Sequence, residues 1–104
     1  MGKLVDGIGY ILYNIRKEKT MPVISRFYGI VIKMYLRQKE HNPPHIHAIY
    51  GDYIGVFSLL DAEMFEGDLP PRGEQLVKEF IKYYRKELLQ MWETQQFEKL
   101  DPIQ

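Results

Sequence analysis

Residues 23–37 read Val23-Ile24-Ser25-Arg26-Phe27-Tyr28-Gly29-Ile30-Val31-Ile32-Lys33-Met34-Tyr35-Leu36-Arg37, and the reading of this run decides the fold. Taken as one extended segment, it alternates. Tyr28, Ile30, Ile32, Met34 and Leu36 fall on one side, and Phe27, Val31, Lys33, Tyr35 and Arg37 on the other, as the two-residue period of a strand requires. The first side is apolar apart from one phenol and suits a buried face. The second mixes aromatic and basic side chains and suits a wet one. The run predicts a single β-strand.

On its C-terminal side, residues 37–44 form a polar loop. Residues 45–50 read as a second strand, and Gly51-Asp52 as a tight turn into a third over 53–60. Asp61-Ala62 permits a further turn into a short strand over 63–66, and Gly67-Asp68-Leu69-Pro70-Pro71 stops the sheet. From Arg72 to about Gln96, Leu76, Val77, Phe80, Ile81, Tyr84, Leu88, Met91 and Trp92 recur at helical period, with Pro70 or Pro71 in the first turn. Trp92 belongs to this core stripe. Lys78, Lys82, Arg85 and Lys86 share the opposite, solvated face.

On the N-terminal side, Leu4, Ile8, Ile11, Leu12 and Ile15 have helical spacing interrupted by Gly7 and Gly9. The expected architecture is α+β. An antiparallel β-meander of three to four strands carries one long C-terminal helix on one face, and a short helical arm over 1–20 precedes a single domain over 21–104.

Composition narrows the function. A chain of 104 residues with 45% hydrophobic content can bury one core. Fourteen basic and fourteen acidic residues cancel, so no global field recruits nucleic acid or anionic lipid. The chain has no cysteine, which excludes disulfides, thiolate catalysis and Cys-containing zinc sites. The apolar run at residues 4–13 is broken by Asp6, lacks a cleavage site and is too short to span a bilayer. Met1-Gly2 lacks the Ser or Thr that a myristoylation signal wants at position 6. A cytoplasmic protein without a membrane partner is expected. No P-loop, dinucleotide-binding glycine loop or serine-nucleophile motif occurs.

The chemistry concentrates in His41-Asn42-Pro43-Pro44-His45-Ile46-His47-Ala48, which holds all three histidines. Strand alternation places His45 and His47 on one side, with Lys33, Tyr35 and Arg37, and Ile46, Ala48 and Tyr50 on the other. Pro43-Pro44 stiffens the strand's entry. Three uses are open. The pair could ligate a metal, their Cα atoms being about 7 Å apart, although His41 lies roughly 12 Å back along a polyproline-like path and no third ligand is evident. They could perform acid–base chemistry on RNA, with Arg26, Lys33 or Arg37 holding phosphate. They could be structural, hydrogen-bonding across strands or lining a partner interface with Tyr35 and Tyr53.

Ile24-Ser25-Arg26-Phe27-Tyr28-Gly29-Ile30, the His41–Ala48 segment, Tyr50-Gly51, Glu66-Gly67-Asp68-Leu69-Pro70 and the helix ending Glu87-Leu88-Leu89 and Trp92 resemble the bacterial domain-of-unknown-function family 4160. The resemblance covers residues 21–93, and its signature residues here are Arg26, His41, His45, His47 and Tyr50. It implies no assigned activity and no cofactor. It does imply a small partner protein encoded nearby, since such pairs look like toxin–antitoxin modules. The expectation is a cytoplasmic prokaryotic module acting on RNA through His45 and His47, with Arg26, Lys33, Tyr35, Arg37, His41 and Tyr50 as binding residues. The alternatives are a non-catalytic protein- or nucleic-acid-binding module and a metal site at His45 and His47. A homo-oligomer is compatible with any of them.

Overall fold

The computed structural model describes residues 22–35 and 43–103. The expected helical arm, Leu36, Arg37 and His41 lie outside these. The run that opens the sheet is two strands, β1 (Val23–Phe27) and β2 (Ile30–Lys33). Tyr28 and Gly29 form a two-residue turn between them with φ of 48° and 82°. Positive φ at both central positions is the hairpin geometry whose twist matches the flanking strands. The chain therefore reverses in the middle of the apparent single strand, and Phe27 pairs with Ile30. The turn also overturns the expected facing of Phe27 and Tyr28, the first buried and the second 64% exposed, while Ile30, Ile32 and Met34 are buried as expected.

Three more strands follow: β3 (His45–Tyr50), β4 (Tyr53–Ser58) and β5 (Met64–Gly67). They complete a five-stranded antiparallel meander in sequence order, one or two strands more than expected. The β3–β4 connection is the predicted Gly51-Asp52 turn, with Tyr50 opposite Tyr53. Between β4 and β5, the Ala62 N–H donates to the Ser58 carbonyl and the Glu63 N–H to the Asp61 carboxylate. At Gly67 (φ 86°) β5 passes so close to β4 that a Cβ would collide with the Ile54 carbonyl oxygen.

Helix α1 spans Pro71–Thr94, with Pro71 at its start. It closes at Gln95, in the left-handed region, whose N–H donates to the Met91 carbonyl at 2.8 Å. Its stripe of Leu76, Val77, Phe80, Ile81, Leu88, Met91 and Trp92 is buried as the periodicity predicts. It packs with Ile24, Ile30, Ile32, Met34, Ile46, Phe57 and Leu59, and Phe27 stacks on Phe80 with centroids 5.0 Å apart. The stripe is interrupted at Tyr84, where the helix kinks (φ −107°, ψ 19°) and the phenol donates to the Asp101 carbonyl at 2.9 Å.

The segment after α1 folds back. Phe97, Leu100 and Ile103 pack against the core, and the Leu100 N–H donates to the Ile24 carbonyl at 2.8 Å. The tail is thus tied to edge strand β1. Among the described residues no helix is long and apolar enough to cross a membrane.

Candidate functional site

The two prolines before β3 have no N–H to offer, and the fold uses both of their carbonyls. Leu59 N–H donates to the Pro44 oxygen at 2.8 Å, extending the β3–β4 ladder by one step. The Pro43 oxygen lies 2.8 Å from His45 Nδ1. A carbonyl only accepts, so Nδ1 carries the proton and the neutral ring keeps its lone pair on Nε2. The double proline sets the tautomer of His45 as well as its place.

Along β3 the alternation holds. Ile46 and Ala48 are fully buried on the face that meets α1, while His45, His47 and Ile49 are half-buried. His47 lies opposite Lys33 on β2 and Val56 on β4, which places the Lys33 ammonium stem on the same side as the imidazoles. Tyr35 stacks on His47, with centroids 3.9 Å apart and planes 12° off parallel. The two imidazoles are 5.4 Å apart. On its far side His45 meets Trp92 of α1 at 5.0 Å and Phe65 of β5 at 6.1 Å. Both rings sit in an aromatic cluster that clamps them, not on an open surface.

That environment treats them differently. Desolvation, and secondly the charge of neighbouring His45, lower the His47 pKa to about 4, so at neutral pH this ring is uncharged. Its Nδ1 is buried without a hydrogen-bond partner among the described residues. The result is a neutral, fixed imidazole beside one whose lone pair is placed on Nε2 by the Nδ1 bond to Pro43. Such a pair can accept a proton at one ring and donate a neutral hydrogen bond from the other.

The remaining expected residues divide. Lys33 and Tyr35 join the histidines. Arg26 is exposed on β1, opposite Val31, two strands from β3. Tyr50 belongs to the opposite face of β3 from the imidazoles, and its ring lies against the Gly29 backbone. Arg37 and His41 are outside the described residues. Among the described residues no group of three or more His, Asp or Glu side chains could hold a metal ion. Two neighbours escaped the sequence reading. Trp92 was assigned to the core stripe, which is true of its burial, but its ring also walls His45. Phe65, 43% exposed, carried one usable signal: a phenylalanine among the polar residues of a short edge strand. On the helix's basic face, Lys78 is taken up by Glu63 and Glu74 at 3.2 and 3.4 Å.

The chain belongs to the family described as Domain of unknown function (DUF4160), whose model matches residues 29–93. The match contains the whole histidine cluster and α1 down to its last residues, and begins after Arg26. No curated protein and no solved structure matches the chain.

Proposed function

We propose that this DUF4160 member is a cytoplasmic prokaryotic module that works with a small partner protein as half of a toxin–antitoxin-like pair, and that it cleaves RNA at the histidine cluster. The observation that carries the reading is the oriented pair. His45 has its Nδ1 proton committed to the Pro43 carbonyl, which puts the ring's lone pair on Nε2, next to a His47 held neutral.

In this reading His45 Nε2 takes the proton from a ribose 2′-hydroxyl, and the resulting oxygen attacks the adjacent phosphorus. The bond to the 5′ oxygen breaks, and that oxygen leaves with a proton returned by the imidazolium. Lys33, across the strand from His47, faces the charge that builds on the phosphoryl oxygens. A neutral His47 adds a hydrogen-bond donor without competing for the proton. Tyr35 and Trp92 hold the rings in place, and the exposed Phe65 offers a face on which a base can stack.

The test combines purified protein with cellular RNA, and expression of the chain without its neighbouring gene. RNA loss and growth arrest that disappear in His45→Ala, with the circular-dichroism spectrum kept, support the reading. Intact RNA together with unaffected growth removes it. The second reading is a non-catalytic module that binds protein or nucleic acid through the same face, and the exposure of Ile54 (51%) and Phe65 beside the cluster favours it. Co-purification of the neighbouring gene's product, lost in Phe65→Asp, would support that one.

A further inference from the structure

A cleft of about 510 Å³ opens between the middle of α1 and the returning tail, lined by Glu79, Tyr83, Tyr84, Asp101, Pro102 and Ile103. None of these residues belongs to the histidine cluster. Tyr83 and Tyr84 stand nearly perpendicular, centroids 4.8 Å apart and planes 85° off, so they form two walls of a corner. Tyr83 is 74% exposed, so its ring is open to a ligand entering the cleft. The Tyr84 hydroxyl is already spent on the Asp101 carbonyl, which leaves ring surface as what that residue offers.

The charges around the corner have one sign. Glu79 and Asp101 both line it, and no basic residue does. Neither carboxylate makes an ion pair among the described residues; Glu79 accepts only a 3.4 Å bond from Gln75 Nε2. Desolvation first, then the charges of Asp101, Tyr83 and Glu87, raise the Tyr84 pKa, so its ring stays a neutral phenol with a negative face. Two tyrosine rings and two carboxylates that make no ion pair among the described residues, together with Pro102 and Ile103 in the lining, are complementary to a cation that carries carbon.

We propose that this cleft binds an organic cation of the guanidinium or alkylammonium class, presented either as an arginine or lysine side chain of a partner protein or as a free amine. Stacking of a planar guanidinium on Tyr83, with its N–H groups toward Glu79 and Asp101, fits the corner best.

The experiment follows amide and aromatic NMR signals of the full chain during titration with N-acetyl-arginine amide, its neutral isostere N-acetyl-citrulline amide, and free agmatine. Saturable shifts at Tyr83, Tyr84 and residues 101–103 with the arginine compound, and about tenfold weaker ones with citrulline, are expected. Tyr83→Leu, which keeps apolar bulk on an exposed position, and Glu79→Gln should each weaken the arginine compound about threefold with the fold intact. Tighter binding of agmatine than of the amide points to a free amine, and the reverse order to a protein side chain. No saturable shift, equal response to arginine and citrulline, shifts centred elsewhere, or variants that bind like wild type would each overturn the assignment.

Discussion

His47 places a pH dependence in the sheet. Its folded pKa of about 4 lies below the ordinary 6.5, so between those values the unfolded chain binds a proton that the folded chain refuses. The contribution to stability is complete above the unfolded value and is lost as pH falls toward the folded one. Because the ring is only half-buried, solvent screening reduces the full shift, leaving about 1–2 kcal/mol. Chemical denaturation of wild type and His47→Phe across this window should show the difference, the wild type losing more stability on acidification. A His47 NMR titration midpoint near its ordinary value would refute this. At the same scale, His45→Asn should abolish the proposed RNA cleavage while costing little stability, since an amide can still donate to the Pro43 carbonyl; cleavage and denaturation assays separate the two.

At the scale of elements, the β1–β2 turn rests on two left-handed residues, one of which has a side chain. Gly29→Ala combines φ of 82° with a Cβ placed 3.2 Å from Tyr50 Cε1 and should destabilise the protein by about 1–2 kcal/mol, measured by urea unfolding. Tyr28→Asn should move the other way, because Asn tolerates this region far better than Tyr. The same turn explains what the sequence hid. Tyr28-Gly29 lacks the Asn-Gly or Asp-Gly signal of such a hairpin, and apolar residues on both sides sustain an alternation that reads as one long strand. α1 was legible because eight apolar residues, Leu76 to Trp92, repeat at its own period over almost five turns. The facing of His45 and His47 was legible because β3 stays regular beyond Pro44. Their clamping was not, since Trp92 and Phe65 arrive from elements that only packing brings to β3.

For the molecule as a whole, the tail is a structural member. Phe97, Leu100 and Ile103 cover core surface, and Asp101 anchors Tyr84 at the kink of α1. A chain stopped after Gln96 loses all of these contacts and should be about 2–4 kcal/mol less stable, read from the denaturation midpoint, and it should lose any cation binding in the cleft. The tail was invisible in the sequence because three apolar residues scattered among charged ones have no period; their partners are set by the place where α1 ends.

Every strand of the meander lies beside its sequence neighbour, so most pairings close short loops and cost little chain entropy. A nascent chain can therefore zip its sheet progressively as it leaves the ribosome. The bond from Leu100 to Ile24 is the exception. It can form only once Leu100 has emerged, so β1 waits for the segment after α1 to seal it. A message cut before the codon for Leu100 would release a protein whose sheet had assembled but whose opening strand lacked that seal.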